Sequence, residues 1–370
     1  MRSAIILAAG KGTRMKSALN KVMHPVSNKP MIGHIVCSLR NAGVDNIVVV
    51  VGHGADSVRE YLGDSVSYAV QEPQLGTGHA VMQAQCLKDM DGDTLILNGD
   101  GPCIQSETIE KVFAANADSE MTVLTAVLDD GERYGRIIRN AEGYVDRIVE
   151  AKDCTPQELA VTEINTGIFC FKNRLLFAHL QDIRNDNAQQ EYYLTDLVAI
   201  FNRCGLRVNA IVADDPQETM GVNDRVDLAR AQKWMTRREC ERHMREGVTI
   251  IDPDTVYIDV GVKIGRDTVI YPNVILQGDT VIGERVTILS NSFLRNAKIA
   301  DDVSIDSSKI VESSVGARTT IGPMSHLRNH TEIAEDCRIG NFVEFKNSHF
   351  GTGSKCAHLT YVGDADVGSG

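Results

Sequence analysis

Three short stretches in the first hundred residues carry side chains whose types and spacing suit phosphate chemistry. The first is Leu7-Ala8-Ala9-Gly10-Lys11-Gly12-Thr13-Arg14-Met15, with Lys21 shortly after it. A glycine-rich turn lets backbone N–H groups come close to phosphate oxygens, while Arg14 and Lys21 supply charge. The spacing is neither G-x-x-x-x-G-K-[ST] nor G-x-G-x-x-G, which separates it from a Walker A loop and from a dinucleotide fingerprint. The second is Gln71-Glu72-Pro73-Gln74-Leu75-Gly76-Thr77-Gly78-His79-Ala80. The Gln71 amide can both donate and accept, and the backbone at Gly76 and Thr77 can face a pyrimidine ring, so the pair suits a uracil edge. The third is Asn98-Gly99-Asp100 at the end of an apolar run, where a carboxylate can hold a magnesium ion, although an aspartate taken alone at such a place more often simply closes a turn.

These stretches need elements that bring them together. Apolar strand-like runs at residues 4–7, 46–51, 66–69 and 94–97 alternate with helix-like segments near 31–41, 55–62 and 79–87, and 121–127 is a further strand candidate. This is the βαβ pattern of a largely parallel, Rossmann-like sheet covered on both faces, with ligands at the carboxyl ends of its strands. The spacing of Leu228, Ala231, Trp234, Met235 and Met244 among Arg and Glu predicts a connecting helix over 226–245, ended by Gly247. Its basic residues are those of a solvated helix face.

Beyond that helix an apolar residue stands at every sixth position: Ile258, Ile264, Ile270, Leu276, Ile282, Ile288 and Leu294. The register slips at Ile299, resumes at Ile305, slips at Ile310 and Val315, then runs through Ile321, Leu327, Ile333, Ile339 and Phe345. A period of six fits neither the helical repeat nor simple alternation. It predicts a prism-shaped solenoid in which three hexapeptides make one coil, each apolar residue points inward, and stacking buries the row. The slips predict altered corners. The expected division is 1–225, a linker helix 226–247, and a solenoid 248–370.

With 370 residues, 43% apolar and 24% charged, the chain has ordinary globular composition and length for two or three domains. A net charge of −12 argues against nucleic acid or an anionic membrane as partner, since both need a positive field. The apolar run at the start is too short to span a bilayer. Nine cysteines without a Cys-x-x-Cys pair signal neither a disulfide framework nor a zinc site, so a reduced, cytoplasmic setting is expected.

The first stretch resembles the signature of sugar-phosphate nucleotidyltransferases, and later segments match the same group in order: Tyr134-Gly135-Arg136, Val149-Glu150, Glu163-Ile164-Asn165-Thr166-Gly167, Glu191-Tyr192-Tyr193-Leu194-Thr195-Asp196 and Gly221-Val222-Asn223. Together with the hexapeptides, the whole chain resembles the bifunctional family that acts as N-acetylglucosamine-1-phosphate uridyltransferase and glucosamine-1-phosphate acetyltransferase, whose solenoid is a left-handed parallel β-helix. The resemblance implies that Leu7, Ala8, Ala9, Gly10, Lys21, Gln71, Gly76, Thr77, Asn98 and Gly99 bind UTP. It implies Mg²⁺ on Asp100 and Asn223, catalytic roles for Arg14 and Lys21, and contacts from Gly135, Glu150 and Asn165 to N-acetylglucosamine 1-phosphate. In the solenoid it implies that Arg328 and Lys346 hold the phosphate of glucosamine 1-phosphate, that Tyr361 orients the sugar, and that His358 takes the amine proton during transfer from acetyl-CoA. A homotrimer is implied too. In that family further coils carry much of the acetyl-CoA site, so a chain ending at Gly370 inside a repeat is expected to have an incomplete acetyltransferase half. Two other readings stay open at this stage: a nucleotidyltransferase for another nucleotide or sugar whose solenoid serves only regulation and assembly, and a non-catalytic trimeric scaffold.

Overall fold

The structure is a computed structural model describing residues 1–131, 134–187 and 189–370. It divides into two compact units, Met1–Ala231 and Gln232–Gly370, and the division falls within the helix Arg225–Arg245.

The first unit is built on one mixed sheet. Its first strand, Arg2–Ala8, lies between Asn46–Val51 and Asp93–Asn98, parallel to both, and Ser67–Val70 continues the parallel set at one edge. Glu163–Lys172 runs antiparallel between Asp93–Asn98 and Met121–Val127, and Val208–Val212 pairs parallel with Met121–Val127 at the other edge. The central strands are almost fully buried, with Ala4, Ile5 and Ile6 at 0% exposure, as expected of strands covered on both faces. Met31–Asn41, Ala55–Leu62 and Ser106–Ala115 are among the covering helices. The helix expected near residues 79–87 is instead Thr77–Met82, followed by a separate 3₁₀ turn at Gln85–Leu87. Gln83 and Ala84 donate to carbonyls three residues back, which tightens and ends the helix there.

In the second unit three sheets of seven parallel strands form the faces of a left-handed parallel β-helix. Inward residues stack in columns, one of which runs Ile258, Leu276, Leu294, Ile310, Leu327, Phe345 and Val362. From Leu294 to Ile310 the coil is two residues shorter than from Ile258 to Leu276, yet the column is unbroken. The register slips are therefore shortened corners. Asp267, Asn273, Asn291, Asn296 and Asp302 turn corners with φ near +60°, the left-handed region that Asn and Asp tolerate best among side-chain-bearing residues. The coils approach so closely at one corner that a Cβ on Gly265 would lie 2.5 Å from the Gly283 carbonyl. No helix among the described residues is long and apolar enough to cross a membrane.

Candidate active site

At the carboxyl ends of the central strands the first unit holds a cleft of about 430 Å³. Its walls bring together the glycine-rich turn after Arg2–Ala8, the Gln71–Thr77 loop after Ser67–Val70, Asp100 after Asp93–Asn98, and Asn223. Parallel strands emerging side by side do this, because each loop then leaves the same edge of the sheet.

The turn is shaped by Gly12, at φ +60°, where a Cβ would lie 2.5 Å from the Lys21 Cβ. Its absence lets Lys21 cross the loop, and the Lys21 ammonium hydrogen-bonds the Asp100 carboxylate and donates to Asn223 Oδ1 at 3.2 Å. Arg14 donates to the same Asn223 oxygen at 2.8 Å. Two cations thus converge on one carboxylate and one amide oxygen. Asn223 is held there because the Val222 N–H donates to the Asp100 carbonyl at 2.8 Å and the Asn223 N–H donates to Asp227 at 3.1 Å. Asp100 and Asn223 present hard oxygen donors, the kind a divalent cation of the magnesium class takes. Among the described residues no group of three or more His, Cys, Asp or Glu could hold a metal alone. A cation held by these two residues would draw its other ligands from water and phosphate.

The cleft wall also carries Gln71, buried at 5% exposure, with its Nε2 donating to the Gly76 carbonyl at 2.9 Å. Gly76, at φ +101°, leaves no room for a side chain, since a Cβ would lie 2.7 Å from the Tyr192 carbonyl. Gly78 and Leu194 donate backbone N–H groups to the Tyr192 carbonyl at 2.7 Å and to Thr77 Oγ1 at 3.0 Å, stitching residues 191–194 to this loop.

That stitching creates a second lobe, a cavity of about 520 Å³ that shares Leu7, Thr77, Asn98 and Tyr193 with the first. Glu150 and Asn165 line it, as does Gly167, placed by a bulge in Glu163–Lys172 so close to Asn98 that a Cβ would lie 2.7 Å from Nδ2. Gly135 stands behind this wall, its carbonyl accepting from the Asn165 N–H at 2.8 Å. Burial, then the negative field of Glu191, Glu150, Asp153 and Asp196, pushes the Tyr193 phenol up, so it remains a neutral donor.

The first cleft thus gathers Leu7, Ala8, Ala9, Gly10, Arg14, Lys21, Gln71, Gly76, Thr77, Asn98, Asp100 and Asn223, and the second Glu150 and Asn165. Gly99 does not line the cleft; it lies beneath, donating its N–H to the Leu7 carbonyl at 2.8 Å. Sequence reasoning gave no individual role to Gln74, Glu191 and Tyr193 in the first lobe or to Lys152, Gln189 and Thr195 in the second. The matched segment from Glu191 to Asp196 was the available signal for three of them, Glu191, Tyr193 and Thr195.

In the solenoid, Arg328 and Lys346 stand in register on adjacent coils of one face, and Tyr361 on the next. Arg328 Nε donates to Glu344 at 2.7 Å and Lys346 Nζ to Asp364 at 3.2 Å. A Cβ on Gly363 would lie 2.2 Å from the Tyr361 hydroxyl, so the phenol covers that glycine, which itself pairs with Lys346. His358 is exposed, one strand earlier, in register with Asn341.

Residues 3–215 match the Nucleotidyl transferase family, and residues 253–351 match the GMPPB C-terminal domain. The chain is 50% identical to the bifunctional protein GlmU of a Geobacillus species over 99% of its own length and 81% of the relative's. It is 49% identical to the Brevibacillus brevis protein of the same name, covering 99% of this chain and 80% of that one. A crystal structure from Bacillus anthracis, assigned as a glucose-1-phosphate thymidylyltransferase, aligns with a TM-score of 0.51 and 24% identity over 63% of this chain and 94% of the other, a likeness of fold. A nucleotidyltransferase unit followed by a hexapeptide β-helix, half identical to such relatives across almost every residue, leaves one assignment: the chain is a nucleotidyltransferase that belongs to the GlmU family of bifunctional proteins.

Proposed function

We propose that the chain transfers UMP from UTP to N-acetylglucosamine 1-phosphate, giving UDP-N-acetylglucosamine and pyrophosphate, with a second site for acetyl transfer from acetyl-CoA to glucosamine 1-phosphate. The observation that carries the first activity is the convergence of Arg14, Lys21, Asp100 and Asn223 in a cleft that opens into a second lobe through Leu7, Thr77, Asn98 and Tyr193. One lobe suits a nucleoside triphosphate and the other a sugar phosphate, and the reacting phosphates meet where the two join.

In this reading a phosphate oxygen of the sugar 1-phosphate attacks the α-phosphorus of UTP, and the bond from that phosphorus to the α,β-bridging oxygen breaks. No side-chain nucleophile is needed, so the chain contributes position and charge. Gln71 with the Gly76-Thr77 backbone seats the base, and Leu7, Ala8, Ala9, Gly10, Asn98 and Gly99 shape the nucleotide floor. Arg14 and Lys21 neutralise the charge that moves onto pyrophosphate. Gly135, Glu150 and Asn165 orient the sugar. Asp100 and Asn223 would hold Mg²⁺, which when bound would supply Lewis-acid neutralisation of phosphate charge. For the second activity, Arg328 and Lys346 hold the sugar phosphate, Tyr361 orients the ring and His358 takes the proton of the attacking amine. The functional division is 1–225, 226–247 and 248–370, the assembly a homotrimer and the setting the cytoplasm.

The test is a pair of assays with Mg²⁺: pyrophosphate release from UTP plus N-acetylglucosamine 1-phosphate, and thiol release from acetyl-CoA plus glucosamine 1-phosphate. Pyrophosphate release is the expected result for the first. Its absence with every sugar phosphate tried, together with no UTP binding, would sink the uridyltransferase reading.

A further inference from the structure

The Gln71 side chain is nearly inaccessible, yet it forms part of the cleft wall. Both of its internal hydrogen bonds come from one end of the amide: Nε2 donates to the Gly76 carbonyl at 2.9 Å and lies 3.2 Å from His79 Nδ1. Rotating the amide by half a turn would set Oε1 against the Gly76 carbonyl, oxygen to oxygen, so the carbonyl alone argues for the orientation seen. His79 Nδ1 adds a second anchor when it is the ring nitrogen that accepts; a neutral ring has one such nitrogen, and the Gln83 side-chain Nε2, 3.3 Å from His79 Nε2, competes for it. Oε1 has no protein partner among the described residues and is not sealed from the cleft.

His79 is placed for this task by its own element. It belongs to the helix Thr77–Met82, whose first turn is tied to the Tyr192 carbonyl through Gly78, and the Gln83 side chain donates to the His79 carbonyl at 2.9 Å. The Tyr192 ring packs at a tilt beside the imidazole, with centroids 6.2 Å apart.

We propose that His79 is a positioning residue for nucleobase choice: by accepting from Gln71 Nε2 it holds Oε1 toward the cleft as a fixed hydrogen-bond acceptor that selects a base presenting a ring N–H. The imide N–H of uracil meets that acceptor, whereas the ring nitrogen of cytosine would set lone pair against lone pair. A freely rotating amide would offer either end and discriminate poorly. The inference rests on the proposal above that Gln71 faces the base.

The test compares kcat/KM for UTP and CTP in wild type, His79→Leu and His79→Asn, with melting curves as the check on folding. Leu removes the acceptor; the Asn side-chain oxygen can stand near the position of Nδ1 and restore it. The expected result is a UTP to CTP ratio narrowed roughly five- to tenfold in His79→Leu, the loss of about one neutral hydrogen bond, and largely recovered in His79→Asn. A folded His79→Leu with the wild-type ratio overturns the role of His79, as does an equal loss of both activities in the two variants with the ratio intact. A wild type indifferent to UTP and CTP overturns instead the placement of the base against Gln71. Should His79→Leu not fold, ¹⁵N spectra of wild type labelled at histidine decide, with His79→Asn supplying the assignment: the inference needs a neutral His79 ring carrying its proton on Nε2, and a proton on Nδ1 overturns it.

Discussion

Replacing Asp100 by Asn keeps the shape of the cleft and removes one negative charge, and the consequences for nucleotide binding should have opposite signs with and without metal. In the structure the Asp100 carboxylate is matched by the Lys21 ammonium, with side chains 21% and 13% exposed, and Arg14 stands on the same Asn223 oxygen as Lys21. With Asn at 100, that pair of cations loses its counter-charge and faces an incoming triphosphate unneutralised. A unit charge about 6 Å from a phosphate in an effective dielectric near 20 contributes about 3 kcal/mol. Partial exposure and salt cut this to about 1.5 kcal/mol, or roughly tenfold in affinity. Titration calorimetry in EDTA should therefore show UTP binding about tenfold tighter to Asp100→Asn than to wild type, by a margin that shrinks with added salt. With Mg²⁺ present the order reverses, because the anionic ligand is gone, and pyrophosphate release should fall by a factor of roughly 10² or more, the scale of a lost charge-stabilising group. Unchanged turnover would remove Asp100 from the site. Lost turnover with unchanged metal-free affinity would keep the ligand role and refute the account of Lys21 and Arg14 as cations held in check by Asp100.

Gly12→Ala places a Cβ at φ +60° and 2.5 Å from the Lys21 Cβ, so it should raise KM for UTP several-fold and cost about 1–2 kcal/mol of stability, read by thermal melting. Arg328→Ala and Lys346→Ala should reduce thiol release from acetyl-CoA wherever wild type shows it, while leaving pyrophosphate release at the wild-type rate. His243 is 1% exposed, and burial first, then the Arg242 guanidinium, lowers its pKa from 6.5 to about 4. The native ring stays neutral while the unfolded chain takes up a proton, so the stability it contributes is complete above pH 6.5 and drains as pH falls toward 4, by roughly 3 kcal/mol in all; denaturant melts of wild type should show a steeper acid loss than His243→Gln.

The solenoid was the most legible part of the chain because its physics is one-dimensional. Each inward position meets its counterpart on the next coil, so the apolar column from Ile258 to Val362 is written directly as a period, and shortened corners such as that before Ile310 appear as slips in the same period. The central parallel strands of the first unit, Arg2–Ala8, Asn46–Val51 and Asp93–Asn98, were legible for a related reason, being buried on both faces and therefore largely apolar. Glu163–Lys172 was noticed for its motif and not as a strand. Its first half mixes Glu163, Asn165 and Thr166 with a bulge, and a strand that bends to place polar side chains in a cavity loses the alternation by which strands are recognised. The early end of Thr77–Met82 had no local signal either, since His79, Ala80 and Val81 are compatible with a longer helix.

The site separates in the same way into what adjacency in sequence can carry and what only folding supplies. Arg14 and Lys21 announce themselves by charge beside glycine. What they do at rest depends on Asp100 and Asn223, and nothing in the local sequence says that these four groups meet. The Val222 N–H on the Asp100 carbonyl is the link that matters, because it fixes the amide of Asn223 beside the carboxylate by main-chain geometry rather than by a side-chain preference. The amide oxygen of Asn223 is thus placed beside the carboxylate by main-chain contacts that do not involve Lys21 or Arg14. In the proposed reading the same two oxygens would turn to a metal ion when triphosphate oxygens draw Lys21 and Arg14 away, and the strength of that exchange is what the paired titrations of Asp100→Asn measure.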